Sequence, residues 1–131
     1  MGIVKKRILY VDDDEMLREA TTGILESLGY EVIAEEGRKG AISGTILKDG
    51  WTPDLILAES SALASIDDEL AQTALGYEPP IPLVVITVAW ENPSRNTPGT
   101  KGISSLIYKP FTREELIEAL QGIPWVRKTP P

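Results

Sequence analysis

Short apolar runs alternate with stretches of helical periodicity along the chain, which predicts a repeating strand–helix unit. "RILYV" (7–11) reads as a strand, and the following segment places Leu17, Ala20, Ile24, Leu25 and Leu28 on one helical face, with Gly29 suited to the C-terminal cap. A second strand is expected over 30–35, then a weaker helix over 38–50 diluted by Gly40 and Gly44. "DLILA" (54–58) is a third strand entered through Pro53, and 66–75 can form a short helix before the "GYEPPIP" break. "LVVIT" (83–87) is the fourth strand and the richest in β-branched residues. The next segment, "WENPSRNTPGTKG", carries two prolines, two glycines and two asparagines, so no regular helix is expected there. "SLIY" (105–108) is a short fifth strand, and 112–120 closes the set as a helix. Thr112 and Glu115 have the spacing of a capping box, and Leu116, Ile117 and Leu120 supply that helix's apolar face.

Strands apolar on both faces and alternating with helices imply a parallel sheet covered on two sides. Five units in this length fit an α/β fold, a doubly wound five-stranded sheet of flavodoxin-like type, for which strand order 2-1-3-4-5 is the common solution. The fourth helix is expected to be short, irregular or absent. One domain over 1–122 is expected, followed by a C-terminal tail or linker over 123–131 that ends in prolines.

Composition narrows the chemistry. With no cysteine and no histidine among 131 residues, thiolate and imidazole metal sites and every Ser-His or Cys-His nucleophile are excluded. A net charge of −7 argues against a nucleic-acid surface, and the basic clusters at 5–7 and 127–128 read as solvated ends. No apolar run reaches a membrane span, and "MGIVKKRILYV" has too short an apolar segment for a signal peptide, so a cytoplasmic domain is expected.

In an open parallel sheet the functional crevice lies beyond the carboxyl ends of the strands, where the strand order reverses. Strand one ends in Asp12, Asp13 and Asp14, strand three in Glu59, strand four in Thr87, and strand five in Lys109-Pro110. Clustered carboxylates suit a hard cation such as Mg²⁺. Lys109 could hold a phosphoryl oxygen and the Thr87 hydroxyl could donate to another, which makes a phosphoryl-transfer site.

"ILYVDDDEMLR", "PDLILAE", "LVVIT" and "YKPF", in that order, resemble the receiver (CheY-like) domain of two-component response regulators over roughly residues 6–120. The resemblance implies transfer of a phosphoryl group from a histidine kinase or small phosphodonor to a strand-three aspartate with Mg²⁺. It places the metal on Asp12, Asp13 and the backbone carbonyl of Ser61, and puts Thr87 and Lys109 on the phosphoryl group. It also implies a cis Lys109–Pro110 bond. The implied partner is a histidine kinase or an output protein, with a homodimer left open, and the domain is a signalling module and not an independent enzyme.

Several residues depart from the family's pattern. The phosphoacceptor position falls on Glu59, whose side chain is longer than aspartate by one methylene, or roughly 1.5 Å. In-line attack tolerates such displacement badly, about 1 Å costing on the order of 100-fold. The loop after it, "SSALASIDD", lacks the usual proline and glycine, and the aromatic expected three residues before Lys109 is Leu106. These departures point to regulation by protein contacts instead of ordinary phosphorylation. Glu59 is then either a fixed mimic of the phosphorylated state or a carboxylate paired with Lys109. A working receiver phosphorylated by a histidine kinase or small phosphodonor, with Glu59 a candidate acceptor, and a flavodoxin-like binder of a phosphorylated ligand remain alternatives. The second would call for a glycine-rich loop where "DDDEML" stands.

Plainer roles are open for single residues. Asp13 or Asp14 would serve as the first helix's N-cap, and Thr87 as an ordinary strand residue. Phe111, Trp51 and Trp125 would pack, as would Trp90 under its loop, and Asp67 and Asp68 would begin a solvated helix.

Overall fold

The computed structural model describes residues 5–36, 51–59, 76–88 and 103–123. Five strands appear there: β1 (Arg7–Val11), β2 (Glu31–Glu35), β3 (Leu55–Glu59), β4 (Leu83–Val88) and β5 (Ile103–Lys109). They form one parallel sheet, as the alternating pattern predicts, in the order β2-β1-β3-β4-β5 expected of the doubly wound fold. Helices α1 (Glu15–Ser27) and α2 (Arg113–Gln121) complete the described elements. The expected helices over 38–50 and 66–75, the segment 90–102, Ser61, Trp90, Trp125 and residues 124–131 lie outside the described residues.

Side chains alternate across a strand, and the sheet sorts them into two cores. Ile8, Tyr10, Leu55, Leu57, Val84, Ile86 and Ile107 face the helix side, where Leu25 of α1 and Leu116 and Leu120 of α2 cover them. Leu9, Val11, Ile56, Ala58, Leu83 and Val85 face the other side, with Tyr77 and Ile81. β3 is buried along its whole length, including Glu59. Ile123 is buried on the helix side, one residue past the domain boundary expected at 122.

Local chemistry sets the element ends. Asp14 caps α1 by accepting from the Leu17 N–H at 3.1 Å. At the other end Gly29 adopts φ 95°, a left-handed conformation that favours glycine. Gly29 N–H donates to Glu26 and Tyr30 N–H to Leu25, the two bonds of a Schellman motif. The strand expected to begin at Tyr30 therefore begins at Glu31, because the Tyr30 N–H closes the helix. The capping box of α2 is formed, with Thr112 Oγ1 accepting from Glu115 N–H at 3.0 Å and Glu115 Oε1 from Thr112 N–H at 3.2 Å.

Two expectations are corrected. Ala20 is exposed, because the inward face of α1 is centred on Thr21 and Leu25. β5 is longer than the expected 105–108, because its pairing with β4 continues to Val88↔Lys109 and its start steps past an irregularity near Leu83 and Val84.

Candidate functional site at the carboxyl edge of the sheet

β1 delivers Asp12 to the sheet edge, where it is completely buried. Its backbone N–H donates to the Glu35 carbonyl at 3.0 Å, tying it to the end of β2. Oδ1 accepts from Asp14 N–H at 2.9 Å, and Oδ2 accepts from the Tyr10 hydroxyl at 2.8 Å. Arg18, on the second turn of α1, donates through Nη1 to the Asp12 carbonyl at 2.8 Å. Tyr10 and Asp12 meet because residues two apart on a strand share a face.

The Tyr10 hydroxyl also bonds the Thr21 side chain; its proton goes to Asp12, so Thr21 is the donor. Burial pushes the Tyr10 phenol far above its ordinary value, with the Thr21 bond opposing and Asp12 reinforcing the rise. Tyr10 is thus a neutral donor at any ordinary pH.

β3 and β5 bring the second pair together. Lys109 Nζ lies 3.7 Å from Glu59 Oε1, reaching past β4, which separates their strands. Glu59 follows Leu55 and Leu57 in strand alternation, and Lys109 follows Ile107, so both belong to the helix side of the sheet. At 3.7 Å the pair is a charge–charge contact, longer than a tight N⁺–H···O⁻ bond. The Lys109–Pro110 bond is cis.

Thr87 is buried at the same edge but follows Leu83 and Val85, the face opposite Glu59 and Lys109. The strand ends converge, as expected, but Thr87 does not share the face of the ion pair. Asp13 is exposed beside Asp12. Leu106 is half-buried on the far core, and Tyr108 is 48% exposed. Phe111, expected in the core, is half-buried against the helix-side core. It joins Leu17, Ile24, Val88 and Lys109 around a cavity of about 460 Å³ between α1 and the turn into α2.

Of the Mg²⁺ ligands that the resemblance implies, Ser61 lies outside the described residues, and the buried Asp12 carboxylate does not present the open face such a ligand needs. Among the described residues no group of three His, Cys, Asp or Glu side chains is placed to hold a metal ion. Both Asp12 oxygens already accept hydrogen bonds from the protein, in a residue with no exposed surface.

Sequence reasoning missed Tyr10 and Arg18. Tyr10 looked like one more apolar residue of β1, although its place two residues before Asp12 was a usable signal. Arg18 is recognisable only once α1 is folded back against the end of β1.

No family model matches the chain. It is 30% identical over 131 residues to the phosphate regulon transcriptional regulatory protein PhoB of Pseudomonas aeruginosa, covering 98% of this chain and 55% of that protein. The Escherichia coli PhoB is 28% identical over 123 residues, covering 90% of this chain and 51% of that protein. The chain thus spans about half the length of these relatives. A response regulator receiver protein from Burkholderia phymatum superposes with TM-score 0.75 at 21% identity, covering 90% of this chain and 94% of that one. The chemotaxis response regulator CheY4 of Vibrio cholerae gives TM-score 0.72 at 22% identity, covering 91% and 98%.

The chain has the CheY-like receiver fold. Its sheet order is the one the resemblance implies, and Asp12, Glu59, Thr87 and Lys109 stand at one edge of that sheet. Among the described residues no helix is long and apolar enough to cross a membrane.

Proposed function

We propose that this receiver transmits its signal through protein contacts, with Glu59 standing at the phosphoacceptor position as a permanent carboxylate. The observation that carries the reading is the Glu59–Lys109 pair at 3.7 Å on a carboxylate only 9% exposed. The lysine that would hold a phosphoryl oxygen instead faces a side chain one methylene longer than aspartate. That carboxylate reaches from the end of β3 towards Lys109, which displaces it from the in-line geometry an aspartate acceptor would offer. Because the pair is formed within the chain, Glu59 and Lys109 hold each other at the sheet edge without a phosphoryl group. The partner in this reading is a histidine kinase or an output protein of a two-component system.

Intact mass after incubation with a small phosphodonor and Mg²⁺ tests the proposal. The native chain is expected to show no adduct. An adduct on the native chain, abolished by Glu59→Gln, would overturn the reading. Glu59→Asp, which restores the shorter side chain, separates the acceptor from its surroundings. An adduct on that variant alone would assign the block to the single methylene.

A further inference from the structure

Asp12 is the residue whose surroundings depart most from what the resemblance implies. A carboxylate at a divalent-cation site normally keeps an open face, because Mg²⁺ requires near-octahedral oxygen ligands at about 2.0–2.1 Å and retains several waters. Asp12 has no exposed surface. One oxygen takes the Tyr10 hydroxyl at 2.8 Å and the other takes the Asp14 N–H at 2.9 Å. Arg18 adds a guanidinium on the Asp12 carbonyl at 2.8 Å, and Lys109 brings a second positive charge to the same edge. The demands of a buried carboxylate, donors on both oxygens and nearby positive charge, are therefore met from within the chain.

We infer that Tyr10 does at Asp12 what a bound divalent cation would otherwise do, so that the acidic corner of this receiver keeps its shape without a metal. Tyr10 is a positioning residue in this arrangement. The Thr21 hydrogen bond and the packed faces of β1 and α1 hold its ring, and its proton is committed to Asp12. A cation approaching Asp12 would have to displace that hydroxyl and expose a buried carboxylate. The inference does not depend on whether Glu59 accepts a phosphoryl group, since Tyr10 and Asp12 lie on β1 and the Glu59–Lys109 pair lies across β3 and β5.

The test is the melting temperature of the native chain and of Tyr10→Phe, each in EDTA and in Mg²⁺, with direct titration of Mn²⁺ by its electron-spin resonance signal. A site of sub-millimolar affinity would raise Tm by about 5 °C in roughly 10 mM Mg²⁺. The native chain is expected to shift by less than about 1 °C on that scale and to leave Mn²⁺ free. Tyr10→Phe is expected to melt lower in EDTA and to recover part of the loss in Mg²⁺, a response that a purely structural tyrosine would not produce. A native chain stabilised by Mg²⁺ would overturn the inference, and so would a Tyr10→Phe chain that responds no more than the native one. Should that variant fail to fold, the Mn²⁺ titration of the native chain decides, and sub-millimolar binding there would sink the idea.

Discussion

At the amino edge of the sheet, Arg7 pairs with Glu31 at 3.2 Å while their side chains stay 31% and 45% exposed; at the carboxyl edge, Lys109 pairs with Glu59 at 3.7 Å with side chains 24% and 9% exposed. The shorter contact is the weaker one by physical argument, because water screens it and holds both partners nearly as well when they part. Around Arg7 the bonds are structural. Its backbone N–H donates to Asp54 at 2.8 Å, its guanidinium lies 5.8 Å from the Trp51 ring centre, and the Trp51 indole donates to Glu31 at 3.2 Å. Together these tie the starts of β1 and β2 to the segment entering β3. At the carboxyl edge the same kinds of groups are withdrawn from solvent, so each lost partner leaves a buried charge or dipole behind. Burial therefore decides which edge is sensitive to substitution.

The largest expected effect separates the two ion pairs. Lys109→Met should lower unfolding free energy by about 2–3 kcal/mol, somewhat less than for a fully buried pair because the lysine is partly solvated. Arg7→Met should cost no more than about 1 kcal/mol. Urea unfolding of the two variants reads the difference, and equal losses would erase the contrast between the edges.

Tyr10→Phe comes next, at about 1–2 kcal/mol, because Asp12 loses a donor in a site water does not reach. The same residue predicts an alkaline limit. Its folded-state pKa is raised, so the folded chain keeps the phenol proton while the unfolded chain releases it above pH about 10, and stability is present below that pH and falls above it. The slope from Tyr10 is about 1.4 kcal/mol per pH unit, with burial of Tyr30 adding in the same direction. Stability measured from pH 9 to 11 should fall less steeply in Tyr10→Phe, and an unchanged slope would mean that Tyr10 ionises freely in the fold.

The smallest effect sharpens the comparison through salt. A double-mutant cycle on Arg7 and Glu31 should give a coupling of about 0.5 kcal/mol that fades towards zero at about 1 M salt. The corresponding cycle on Lys109 and Glu59 should keep most of its value, because salt screens a buried pair far less. Parallel fading of both would place the second pair in solvent.

Much of the fold was legible before any coordinate, for reasons visible in particular residues. The apolar runs 54–58 and 83–87 lie within a residue or so of β3 and β4, since a strand buried on both faces must be apolar throughout. Thr112 and Glu115 announced the start of α2, because a capping box is a contact between residues three apart. Ends that depend on more distant partners were read less well: β5 is extended by its neighbour β4, and β2 is shortened by the cap of α1. At the site, Asp12, Glu59 and Lys109 could be picked out because each ends a strand, but face and partner could not. Thr87 was grouped with them by edge alone, and strand alternation sets it on the other face.

Read without a structure, the chain already shows its class of fold, the edge at which its charged residues gather, and glutamate where the resemblance expects aspartate. These are properties of local pattern, carried by periodicity and by position at strand ends. Tertiary packing alone set that Lys109 reaches past β4 to Glu59, that Arg18 folds back onto the Asp12 carbonyl, and that Tyr10 donates to a buried carboxylate otherwise read as a metal ligand. The reason is burial. How strongly a charge or hydroxyl must be satisfied depends on how much water it loses, and that loss is set by what packs around it, not by its place in the chain.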